Sequence, residues 1–144
     1  MAFGRKQGRK QESGVAQRLS GVTFFEGFSE EELARVAQLV DEVDAEVGAE
    51  LTEQGRVGQT CYVIEAGQAG VVVSGEHVAT LEPGTVVGEM ALVDHRPRSA
   101  TVTAETPMKL LALDAKSFRS LLDEMPKASQ RVMTLLNARL RDNA

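Results

Sequence analysis

The sequence predicts a mainly β protein with flanking helices: an antiparallel β-barrel or jelly roll, with N-terminal helices before it and two C-terminal helices after it. Three observations carry this. From about residue 41 to 114, apolar residues alternate or run in short stretches separated by Gly- and Pro-bearing turns. On either side, apolar residues recur at three- and four-residue spacing instead. At 144 residues, 42% hydrophobic and 26% charged, the chain suits one globular domain that buries its own core.

Residues 1–11 carry Arg5, Lys6, Arg9 and Lys10 and no acid, so the rest of the chain is more acidic than the net charge of −5. A Gly/Gln/Lys/Arg run of this kind reads as a solvated, disordered tail. Contact with an acidic partner or a membrane surface is its alternative role. The acidic remainder argues against a nucleic-acid-binding domain, because phosphate contacts need a basic face.

Residues 12–144 then read as a single domain. Its helical entry is 12–40: Gly14 to Leu19 is short, whereas Ser29 to Val40 is well marked. Ser29 and Glu32 stand at capping-box spacing. Leu33, Val36, Ala37 and Val40 share one face, with Phe24, Phe25 and Phe28 ahead of the cap as core anchors. The barrel is 41–114. Val43, Ala45 and Val47 alternate with acids, and Thr60 to Ala66 is strand-like. Ala69 to Val73 and His77 to Leu81 flank Ser74-Gly75, a hairpin signal. Glu82-Pro83-Gly84 is a turn before Val86-Val87; Ser99 to Ala104 and Met108 to Leu113 close the series. The C-terminal helices are 115–141. Asp114 is the N-cap, Phe118, Leu121 and Leu122 form a stripe, and Pro126 breaks and restarts the helix. Val132, Leu135, Leu136 and Leu140 continue at helical spacing; core contact against the barrel is their simplest role, with a lid or a dimer seam as alternatives.

Several function classes recede on composition. No apolar run approaches the ~18 residues of a membrane span, and no signal-peptide apolar region opens the chain, which points to the cytoplasm. The lone Cys61 rules out an internal disulfide framework and reads as a small buried hydrophobe. A cupin-type metal site needs several His ligands, and only His77 and His95 exist; neither forms a nucleophile dyad, so no metal and no catalysis are expected.

One stretch inside the strand zone does not behave as a strand. Gly88-Glu89-Met90-Ala91-Leu92-Val93 has no alternation and is too short for an ordinary helix. A helical turn there would present free backbone N–H groups to an anion. Arg98 follows after a Pro-bearing loop, and its planar donor fork matches two phosphate oxygens at once. Gly88 allows close backbone approach, Glu89 can accept from a sugar hydroxyl, and Ser99 and the N–H of Ala100 can add donors.

The run GEMALVDHRPRSATVTA, from Gly88 to Ala104, closely resembles the phosphate-binding cassette of cyclic nucleotide-binding domains. QGRVGQTCYVIEAGQAGVVV resembles that family's preceding strands, with Gly55, Gly58, Tyr62, Ile64 and Gly67 at matching places, and FFEGFSEEEL resembles its helical entry. The cassette is most similar to that of bacterial cyclic-nucleotide-gated potassium channels. The resemblance implies that Gly88 and Glu89 serve the ribose, with Glu89 on its 2′-hydroxyl. Arg98 would take the cyclic phosphate, with Met90, Ala91, Ser99 and Ala100 completing the cradle. It places Val87 and, on the last helix, Arg139 against the purine. Val87 stands where an aromatic is common, and Gln59 replaces a commoner acid. Ser at 99 accompanies cAMP preference, so cAMP is expected ahead of cGMP, as ligand and not as cofactor. The chain then reads as a sensor domain signalling through its C-terminal helix to a separate, unnamed partner, with a dimer through that helix as an option. A helix-turn-helix domain would have to follow for direct DNA reading, and none is expected. The alternative is a degenerate domain that keeps the fold as a protein-interaction module.

Overall fold

Alternation along the strands assigns their buried side chains to one of two cores. The structure, a computed structural model, describes residues 3–5, 12–58, 60–88, 97–131 and 133–134. In chain order the elements are β1 (Phe3–Arg5), α1 (Glu12–Leu19), α2 (Glu30–Leu39), β2 (Asp41–Ala45), β3 (Glu50–Thr52) and β4 (Thr60–Ala66). β5 (Ala69–Val73), β6 (Glu76–Leu81), β7 (Val86–Val87), β8 (Thr101–Ala104), β9 (Met108–Asp114) and α3 (Ala115–Glu124) follow. A five-stranded sheet in the order β1-β2-β9-β4-β7 faces a four-stranded sheet in the order β3-β8-β5-β6. Every pairing is antiparallel, as the jelly-roll expectation requires.

Between the sheets lie Val43, Ile64, Val87, Leu110 and Ala112 from one side and Leu51, Ala69, Val102 and Ala104 from the other. The opposite faces of β4 and β9, carrying Cys61, Val63, Leu111 and Leu113, bury against the helices. There they meet Val15 and Leu19 of α1, Val36 of α2 and Phe118 of α3. Cys61 is thus the small buried hydrophobe its apolar surroundings indicated, at 3% exposure.

The helix signals act as their chemistry demands. The Glu32 N–H donates to Ser29 Oγ (3.1 Å) and the Ser29 N–H to Glu32 Oε1 (2.8 Å), closing the capping box. Asp114 caps α3 by accepting from the Ser117 N–H (2.8 Å). Phe25 stacks edge-on with Phe24 and Phe28, with centroids 5.1 and 5.4 Å away. Met125 leaves helical geometry, and residues 126–131 resume it with Pro126 in the first turn. At the β5–β6 turn Ser74 (φ 51°) and Gly75 (φ 85°) both take the left-handed conformation of a two-residue hairpin loop.

Three sequence expectations need correction. Residues 3–5 are not a disordered tail: they form β1 and pair with β2, whose outer edge would otherwise expose an open ladder of peptide groups. Glu50–Thr52 is a strand although nothing in its three residues alternates enough to show it; pairing with β8 imposes the extended form. Val47 lies beyond β2 in a turn and is 61% exposed. No helix among the described residues is long and apolar enough to cross a membrane.

Candidate functional site

The loop between β3 and β4 and the approach to β8 run antiparallel and hold one another by main-chain bonds. The Gly55 N–H donates to the Arg98 carbonyl (2.8 Å), and the Arg98 N–H donates to the Arg56 carbonyl (2.7 Å). Val57 bridges Pro97 next to this pair. Thr52 Oγ1 donates to the Ala100 carbonyl (2.9 Å), and the Gln54 N–H donates to Thr101 Oγ1 (3.0 Å). The backbone of Arg98 is therefore fixed on both sides before its side chain makes any contact.

That side chain turns inward. Arg98 is only 7% exposed. A buried charge is costly unless its donors are met. Here Nη1 donates to the Gly88 carbonyl (2.7 Å) and Nη2 to the Thr60 carbonyl (2.6 Å), so the guanidinium ties the end of β7 to the start of β4. Two glycines make the room. A Cβ on Gly58 would stand 1.9 Å from Nη2 and one on Gly88 2.1 Å from Nη1, so the fork fits only because both side chains are absent. Gly88 also has φ of 89°, which favours glycine on backbone grounds alone.

Arg98 forms one wall of a cavity of ≈ 240 Å³, together with Gly58, Thr60, Tyr62, Glu50 and Arg56. Its lining is mostly polar in character, with Arg56 paired to Glu53 at 3.3 Å. A larger cavity of ≈ 800 Å³ lies by α1 and the outer face of β2, β9 and β4. Its cations are already engaged, Arg18 with Glu42 and Glu65 and Lys109 with Asp44. The smaller cavity is the candidate site, because it is walled by a rigidly held arginine.

Of the residues expected from sequence, Gly88 and Arg98 meet directly. Ser99 and Ala100 follow Arg98; Ser99 is exposed and Ala100 partly so. Val87 pairs with Tyr62 across β7–β4 and is buried between the sheets at 5% exposure. Glu89, Met90, Ala91 and Arg139 lie outside the described residues, as does Gln59. His77 is exposed on β6, 3.2 Å from Glu105. Sequence reasoning missed the Thr60 carbonyl, which no side chain announces, and the spatial role of Gly58. The Gly55-x-x-Gly58 spacing was visible, but its meaning needed the position of Arg98.

Comparison with known proteins identifies the family and the fold. The profile of the cyclic nucleotide-binding domain family matches residues 42–125. The cAMP-dependent protein kinase regulatory subunit of Mucor circinelloides f. lusitanicus is 34% identical over 128 residues, which is 83% of this chain and 30% of that protein. The chain thus spans under a third of the length of the curated relatives it matches first. Among solved structures, a cyclic nucleotide-binding domain from Methylobacillus flagellatus KT superposes with a TM-score of 0.78 at 25% identity, covering 98% of this chain and 85% of that one. The regulatory domain of Toxoplasma gondii PKA, crystallised with cAMP, superposes with a TM-score of 0.76 at 27% identity, covering 92% of this chain and 50% of that one. These matches do not bear on the likeness to bacterial channels. With more than half of its residues under the family profile and a matching fold, the chain belongs to the cyclic nucleotide-binding domain family.

Proposed function

We propose that this chain is a non-catalytic receptor for a cyclic nucleotide, cAMP in preference to cGMP, and that its residues 12–144 act as one domain in the cytoplasm. The buried Arg98 fork carries the reading: its two terminal nitrogens already hold short hydrogen bonds to carbonyls at a cavity wall, an arrangement that two phosphate oxygens can replace. Arg98, with Ser99, Ala100, Met90 and Ala91, takes the phosphate. Glu89 and Gly88 take the ribose, and Val87 and Arg139 face the purine. The Toxoplasma relative crystallised with cAMP supports the ligand class, and Ser99 supports cAMP over cGMP. Binding is relayed by movement of the C-terminal helix to a downstream protein, without direct DNA contact. A dimer through that helix is compatible with this relay.

Calorimetric titration with cAMP and cGMP tests the reading. Hydrogen bonds to charged groups contribute ~1.5–3 kcal/mol each. Arg98→Ala should therefore weaken binding about 100-fold or more, and Glu89→Ala should lose about tenfold or more. Undiminished binding by Arg98→Ala overturns the site. Binding of neither nucleotide by the wild type favours a protein-interaction module instead.

A further inference from the structure

Gln54 does not line the cavity and is exposed, yet three segments meet at it. Its N–H donates to Thr101 Oγ1 at the start of β8 (3.0 Å). Its side-chain Oε1 accepts from the Ser74 N–H at the tip of the β5–β6 hairpin (2.8 Å). The next residue, Gly55, donates its N–H to the Arg98 carbonyl (2.8 Å).

The hairpin contact has a geometric cause. Val73 and Glu76 are the last paired residues of β5 and β6, so Ser74 stands outside the ladder. Its N–H takes no part in the β5–β6 pairing and donates to a partner from outside the hairpin instead of to water. A solvent-facing glutamine ordinarily leaves its amide in water, because ordering the side chain costs rotamer entropy. Here the amide oxygen is committed to a turn 20 residues along the chain. The loop that grips Arg98 is thereby fastened to two other places in the four-stranded sheet.

We propose that Gln54 is a positioning residue for phosphate capture, acting through the 53–58 loop on the main chain of Arg98. The inference rests on the reading of Arg98 given above. Freed from Ser74, the loop keeps its bonds to Arg98 but loses its register against the sheet, and Arg98 and Gly58 move with it. The ligand phosphate then meets a displaced fork.

Gln54→Met keeps the side-chain length and removes the acceptor; Thr101→Val removes the second anchor, and Thr101→Ser restores it. All three stand at sites exposed enough to leave the cores untouched. Calorimetry with cAMP, and the ³¹P resonance of the bound nucleotide, are measured on each full-length variant. Gln54→Met and Thr101→Val should each weaken binding about fivefold and shift the bound ³¹P line, as expected for one hydrogen bond near a charged contact. Thr101→Ser should match the wild type in both. Wild-type affinity in Gln54→Met overturns the proposal, and so does a loss of affinity with an unmoved ³¹P line, which marks general softening. Arg98→Ala run alongside separates the two claims: if it binds normally, the site reading itself has failed.

Discussion

Gly58 has no left-handed φ, so its backbone accepts alanine, and the whole cost of a methyl group there falls on Arg98. The atoms it would strike are the far end of a flexible side chain, so the cost to folding is confined to the two guanidinium hydrogen bonds and no backbone has to move. Gly58→Ala should therefore melt within a few degrees of the wild type while losing about tenfold or more in cyclic-nucleotide affinity. Thermal denaturation and calorimetry on the same preparation check this split; a large drop in melting temperature with intact affinity would contradict it. Gly88→Ala is the harsher change, because strain at φ 89° adds to the clash with Nη1. At this scale the sequence revealed charged groups better than spaces. Arg98 and Gly88 were legible because their residue types belong to phosphate chemistry. The Thr60 carbonyl was not, since every residue has one, and Gln54 was silent because an exposed glutamine carries no pattern.

The elements most legible in sequence were those with local instructions: the Ser29–Glu32 box, the Asp114 cap, the Ser74-Gly75 turn and the Pro126 restart. Strands β1 and β3 were illegible because their three residues are shaped by a partner far along the chain. The restart at Pro126 bears on the proposed relay. Lys127 donates to the Gly27 carbonyl (2.9 Å) and pairs with Glu32 (3.1 Å), and Arg131 donates to the Glu26 carbonyl (2.6 Å). The segment after the break is thus fastened to the helical entry. If the last helix moves on binding, saturating cAMP should change hydrogen-exchange protection across residues 127–141; identical protection with and without ligand rejects the relay. Acid should loosen the same layer. The N–H of Ser29, then Lys127, hold Glu32 below the usual carboxylate range, and Arg35 does so for Glu124 through a two-pronged contact between α2 and α3. A carboxylate lowered on folding adds stability above its unfolded value, roughly 4.3, and loses it as pH falls through the lower folded value. Both groups are exposed, so the effect is small and salt-sensitive. Glu124→Gln should lower the melting temperature slightly at pH 6, and the gap to wild type should close by about pH 3.

Over the whole molecule, the two cores are not independent. β4 and β9 contribute one face to each, so a defect between the sheets is felt under the helices. Ile64, with no exposed surface, is the place to measure this. Ile64→Ala should cost about 2–5 kcal/mol in chemical denaturation. Near- and far-ultraviolet circular dichroism should still report one coincident transition; two separated transitions would show that the cores melt apart. The alternation that assigned strands to a sandwich was readable along the chain, but which strands would be neighbours was not, because β2 and β9 are brought together only by the finished topology. That topology has a consequence for the protein's birth. β9, at the centre of its sheet, is translated after every other described strand, so β2 and β4 leave the ribosome before their central partner does. Until residue 114 has emerged, the apolar side of β2 and both apolar faces of β4 lack the strand that pairs between them, and exposed apolar strands of this kind favour misassociation during synthesis.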